Sequence, residues 1–177
     1  MAANEVKSAE NRTNMVSLID IGTWLGGTTA NIIEIGDGVT ELSEDWGPDV
    51  ESKQYINMSA KASNLKGYEF STSVEREYMN DEFQKAINDG FKQLPIGKKA
   101  GTYYYRFFKT DITDGTGDCI RVPVIMAPSS VGGSGEDVLT TSLDISGNGE
   151  VELGTITISE SGYTWAPKAD STQETTE

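Results

Sequence analysis

Three aspartates around two glycines, Asp111, Asp114 and Asp118 in DITDGTGD, come nearest to a metal-binding arrangement in this chain. Carboxylates clustered on a sharp turn supply the oxygen ligands that calcium takes, but an EF-hand loop also needs a closing glutamate and a flanking helix pair. Both are missing, so the segment reads as a plain hairpin turn and no metal is expected. Two carboxylate pairs, Glu75 with Glu77 and Glu150 with Glu152, have the residue types of a glycosidase, which sets two carboxyls across a cleft. Residues two apart on a strand share one face, so each pair reads as a solvated edge instead. The glycine-rich run SSVGGSGEDV, Ser129 to Val138, lacks the lysine of a phosphate loop and carries acid where phosphate would sit. Trp24, Trp46 and Trp165, with seven tyrosines, could stack on sugars or fill a subunit interface, where aromatics are enriched. Cys119 is the sole cysteine, which excludes an intrachain disulfide and reads as a small strand residue rather than a reactive thiol.

The chain has no histidine, which removes the commonest general base and the commonest metal ligand together. One cysteine without histidine also cannot build a zinc site from its preferred ligands. With 28 acidic and 14 basic residues the formal net charge is -14. Nucleic-acid binders need a basic stripe, and this surface repels phosphates. These absences argue against an enzyme, a cofactor and stable DNA binding. No apolar run approaches the roughly 18 residues that cross a bilayer, and the N-terminus lacks a basic flank followed by a hydrophobic stretch, so a chain kept in the cytosol with no membrane partner is expected.

Strands are the elements that must position these residues. In GYEFSTSVERE, Tyr68, Phe70, Thr72 and Val74 alternate with polar residues, and in VLTTSLDIS, Leu139, Thr141, Leu143 and Ile145 do the same. In EVELGTITIS the phase slips at Gly154 and Thr155, which predicts a bulge. TYYYRFFK and CIRVPVIM are apolar on both faces, and Pro123 places the latter at an edge or bulge. MVSLIDIG and NIIEIG are shorter strand candidates. One segment has the other period: Phe83, Ile87, Phe91 and Leu94 recur at helical spacing behind Asn80 as N-cap, and Pro95 stops the run. The spacing predicts a helix over about residues 80–94 with those four side chains packed on a sheet. The fold class expected is mainly β, an antiparallel sandwich or barrel with one flanking α-helix. Its domain should span 15–165, between a flexible N-terminal arm (1–14) and a flexible acidic C-terminal tail (166–177).

Three stretches resemble the major tail tube proteins of siphophages of Gram-positive hosts: TELSEDWGPDVESKQYINMSAKASNLKGYE, FSTSVEREYMNDEFQKAI, and IRVPVIMAPSSVGGSGEDVLTTSLDISGNGEVELGTITI, in that order and over about two thirds of the chain. This resemblance implies a fold related to the tubes of contractile tails and type VI secretion, and a structural subunit that catalyses nothing. It implies self-assembly into hexameric rings, stacked into a virion tail assembled in the host cytoplasm, with the tape measure, tail terminator and distal tail proteins as partners and DNA passing through the lumen without stable binding. Residues 43–64 are then the inter-ring loop, with Trp46, Pro48, Tyr55, Ile56 and Met58 as the candidate stacking interface. Glu69, Glu75, Asp144, Glu150 and Glu152 are the candidate lumen-facing acids. The alternative is a carbohydrate-binding or adhesive β-sandwich module of a phage or cell surface, supported by the tryptophans and the strand content.

Overall fold

A computed structural model describes residues 9–168. It holds β1 (Met15–Asp20), β2 (Ile32–Glu34), β3 (Pro48–Lys53), β4 (Ala62–Tyr68), β5 (Ser71–Glu77), α1 (Glu82–Gln93), β6 (Gly101–Phe108), β7 (Thr116–Gly132), β8 (Thr140–Gly147), β9 (Glu152–Ser159) and β10 (Gly162–Pro167). Eight strands form one antiparallel sheet in the order β5-β8-β7-β6-β1-β2-β10-β9, and β9 pairs back onto β7. That last ladder, Thr116↔Thr157 to Arg121↔Glu152, closes a six-stranded barrel. Closure removes the free edges an open sheet would leave there.

The 17-residue β7 serves two layers: its first part closes the barrel against β9, and from Val124 onward it pairs with β8, which carries β5. Pro123 falls where the partner changes, between the last β9 pair at Arg121 and the first β8 pair at Val124. On that side the Pro123 carbonyl accepts from Asn148 N at 2.8 Å, so only the missing N–H goes without a ladder bond.

Alternation along β1 and β6 sends side chains into two cores. Val16, Leu18, Tyr105 and Phe107 fill the barrel with Cys119 and Ile156. Ile19 and Tyr104 face the other way, packing with Val122, Val124, Met126, Leu143 and Val74 beneath the helix. Burial on both faces is what the apolar run TYYYRFF requires.

Phe83 and Ile87 of α1 are buried in this second core and Phe91 packs against it half-buried. Leu94 does not join the stripe: it takes a left-handed conformation at the C-cap (φ 46) and is 66% exposed. The N-cap is Asp81 rather than Asn80, its carboxylate accepting from Gln84 N at 2.8 Å. A one-residue difference in cap matters, because Asp81 also receives two hydrogen bonds from the buried Arg76.

Other expectations shift for local reasons. β9 has no bulge, since its registers to β7 and β10 run unbroken. Gly154 occupies a core-facing position that a side chain cannot fill: a Cβ there would sit 2.5 Å from Trp165 Cε2. Phe70, Thr72 and Val74 are buried, but Tyr68 belongs to a separate hairpin and is 66% exposed, while Leu139 lies outside β8 and is exposed. At the termini, Asn14 is tied to Thr110 by hydrogen bonds at 3.0 and 3.2 Å, and Ala166 and Pro167 pair with β9. Asn14, Ala166 and Pro167 thus make contacts with the sheet, and residues 1–8 and 169–177 of the expected tails lie outside the described residues.

Candidate assembly surface

The segment read as the inter-ring loop contains most of a two-stranded hairpin. β3 pairs with β4 from Pro48↔Tyr68 to Lys53↔Ala62, with a register shift after Asp49. It continues a pairing begun lower down, where Val39 bridges Arg76 and Asp45 bridges Ser71. A single antiparallel ribbon thus runs from Gly38 and Glu77 at one end to the turn at residues 54–61. Beyond Ser71 the main sheet no longer supports it, because β5 ends its ladder with β8 at Ser71↔Ser146.

The two faces of this ribbon differ. Glu51 lies between Lys53 (3.2 Å) and Lys66 (2.7 Å) on one. On the other, Val50 is paired with Leu65 and Ser52 Oγ lies 2.9 Å from Ser63 Oγ. Val50 and Leu65 are exposed, as are Tyr55, Ile56 and Met58 at the turn, Ile56 completely. Pro48 opens β3 and is exposed. Trp46 stands apart from these: its ring is 4.7 Å from Phe70, and its indole N–H donates to Glu44 at 3.1 Å. It anchors the root of the ribbon to the second core.

A second surface is the outer face of β5, β8 and the later part of β7. Glu75 lies opposite Ser142, Ser73 donates to Asp144 at 3.1 Å, and Asp144 lies opposite Ala127. Small hydroxylated residues and acids line most of this face, with Ile125 exposed beside Ser146. Arg76, the basic residue of β5, points to the opposite, buried side. Of the five candidate acids, Glu75 and Asp144 share this face; Glu69 and Glu150 are exposed near the ribbon root and the β8–β9 turn. Glu152 faces the barrel mouth, where its carboxylate accepts from Arg121 Nε at 3.1 Å and the guanidinium lies 3.7 Å from the Trp165 ring centroid.

The residues with chemical potential serve structure where they stand. Asp114 (φ 51) and Gly115 (φ 78) form the tight turn before β7, and Asp118 pairs with Lys168 at 3.2 Å. No group of three potential metal ligands occurs among the described residues. Burial pushes the Cys119 thiol up to about 12, far from a thiolate at neutral pH. Glu77 and Glu75 project from the exposed face of β5. Trp24 is buried, with its N–H donating to the Met126 carbonyl, so the three tryptophans form no common exposed platform.

Two buried carboxylates escaped the sequence reading. Asp20 accepts from Gly22 N, Thr23 N, Thr23 Oγ1 and Asn31 N at 2.8–3.3 Å, fixing the loop between β1 and β2. Glu44 accepts from Tyr104 OH at 2.9 Å, and burial raises the Tyr104 pKa above the usual phenol range. The D-x-x-T spacing of Asp20 and Thr23 was a visible signal for a local turn; the Glu44 contact spans 60 residues and left none.

No protein-family model matches the chain, and no curated protein does. The siphophage likeness therefore stands on the three stretches of sequence. Solved structures do match in fold. A chain in the virion of a native gene transfer agent particle aligns with TM-score 0.56 at 12% identity, over 82% of this chain and 98% of the other. A chain in the tail of an empty gene transfer agent particle, which has C6 symmetry, aligns with TM-score 0.54 at 13% identity, covering 81% and 97%. One in the tube-terminating cap of the anti-feeding prophage aligns with TM-score 0.51 at 8% identity, covering 86% and 98%. Near-complete coverage of these chains at such low identity establishes a shared architecture, a tail-tube-like β fold of closed barrel, flanking helix and added strands.

Proposed function

We propose that the chain is a structural subunit of a phage-type tail tube, assembling into hexameric rings that stack into a conduit for DNA. The observation that carries this reading is the projecting ribbon. A two-stranded hairpin is marginally stable alone, and this one leaves Val50, Leu65, Tyr55, Ile56 and Met58 uncovered, so its burial has to come from another chain. Both of its edges are also unpaired beyond Ser71, which suits strand or surface contacts between subunits.

The Glu75 and Asp144 face suits the lumen. It offers mostly short side chains and acids, with the apolar Ile125 among them and no exposed cation, so DNA sliding past meets like charge and little to bind. Tape measure, terminator and distal tail proteins are the partners such a tube has, its place is the virion tail, and its assembly belongs to the host cytoplasm. Size-exclusion chromatography with negative-stain microscopy tests the reading: rings or stacked tubes are expected. A chain that stays a compact monomer and binds glycans would instead make it an adhesive module.

A further inference from the structure

The ribbon has two ends with opposite character, and resting on the tail-tube reading we infer what the ribbon tip docks against: the far end of the same ribbon on a second copy. At the tip, residues 50–66 contain one acid, Glu51, against Lys53, Lys61 and Lys66, in a chain whose net charge is -14. Its apolar groups are the exposed side chains of Val50, Leu65 and the turn. At the other end, beyond Glu77, Tyr78, Met79, Val131, Val138 and Leu139 are all exposed. They converge there because Tyr78 N donates to the Leu139 carbonyl at 2.7 Å and Val131 pairs with Thr141 in the adjoining ladder. The segments that supply them, 77–82 and 128–140, carry Glu77, Asp81, Glu82, Glu136 and Asp137 and no basic residue.

A tip with exposed apolar side chains and a positive charge balance therefore meets, on the next copy, an apolar surface edged with carboxylate, although Lys53 and Lys66 also pair with Glu51 on the ribbon's other face. Residues 62 to 77 could span at most about 50 Å if fully extended, at roughly 3.3 Å per residue. The two surfaces differ, so the contact between copies is head-to-tail and repeats from one copy to the next. Charges within a Debye length of about 10 Å govern the contact, which lets local attraction prevail over the net repulsion of two acidic chains.

The test uses the full chain with paired cysteines, since the native Cys119 is buried and cannot compete. Ile56→Cys with Val138→Cys, oxidised after assembly, is expected to give a ladder of covalent multimers on denaturing gels, whereas either single variant gives dimer at most. Charge exchange supplies an independent arm. Lys53→Glu with Lys66→Glu shortens the assemblies, and adding Glu136→Lys with Asp137→Lys restores them. Stacked wild-type tubes with no ladder and no charge rescue would overturn this docking while leaving the tail-tube reading intact; a wild-type chain that never associates would overturn both.

Discussion

At the scale of residues, one buried pair decides how the helix is held. Arg76 is 1% exposed, yet β5 turns it inward, where its guanidinium lies over the Phe83 ring at 5.0 Å and donates to both Asp81 oxygens at 3.1 and 2.6 Å. Desolvating an arginine is costly unless its partner is fixed, and Asp81 is fixed because it is also the N-cap. Arg76 holds the Asp81 carboxyl below the ordinary value of 3.8. The sign follows: a lowered native pKa means the unfolded state binds the proton more tightly, so this stabilisation is complete above 3.8 and is lost as pH falls through the lowered value. Asp81→Asn keeps a capping oxygen but strands the arginine. Allowing for the partial exposure of Asp81, it should lose roughly 2–3 kcal/mol at pH 7. Urea unfolding at pH 7 and at pH 2.5 checks this, with the gap between wild type and variant shrinking in acid; an equal gap at both would mean the pair contributes nothing.

The same helix shows, at the scale of elements, where packing overrides propensity. Gly90 sits inside α1, and propensity alone predicts a gain of about 1 kcal/mol for Gly90→Ala. A Cβ there would lie 2.3 Å from Trp24 Cη2 and 2.9 Å from Pro128 Cγ, so the glycine is the space that lets the helix approach the sheet. Gly90→Ala should lower stability by roughly 1–3 kcal/mol, read as a reduced denaturation midpoint. Ile87→Ala should cost about 2–5 kcal/mol at a fully buried site, whereas Leu94→Ala, at an exposed C-cap, should change stability by less than about 0.5 kcal/mol. Spacing of Phe83, Ile87 and Phe91 made the helix legible in the sequence, and alternation did the same for β5 and β8, because both signals are local. Leu94 was misplaced because the period continues one residue past the left-handed turn that ends the helix. Barrel closure was illegible, since the β7–β9 ladder joins residues 31 to 41 apart, from Arg121↔Glu152 to Thr116↔Thr157, and depends on Gly154 yielding to Trp165. Within the candidate site, Tyr55, Ile56 and Met58 stand out as apolar residues in a polar stretch, whereas nothing in the sequence singles out Val50 and Leu65, whose exposure comes from the ribbon's geometry. Trp46 is expected at the stacking interface through the resemblance, whereas in the fold its N–H donates to Glu44 and its ring packs on Phe70 at the root of the ribbon.

For the whole molecule, the division of labour between body and ribbon sets what assembly depends on. The body has two cores of its own, and neither includes a residue of β3 or β4. Its sheet edge at β5 is partly met from within the chain by Val39 and Asp45, and Thr72 donates to the Ser43 carbonyl at 2.9 Å. The ribbon, by contrast, carries exposed apolar side chains and lysines on a strongly acidic chain, and its removal subtracts surface without opening either core. Replacing residues 50–66 by a short Gly/Ser turn should therefore leave the circular dichroism of strands and helix in place and shift the melting midpoint by no more than a few degrees, the size of a change of about 1 kcal/mol or less. Long tubes should disappear. Retaining Trp46 and Asp45 in the shortened chain keeps the root intact, so loss of assembly would report the missing contacts and not a disturbed core. Normal tubes with unchanged axial spacing from the shortened chain would transfer the stacking contacts to the body itself, to the Ser129 to Asp137 segment or the chain ends.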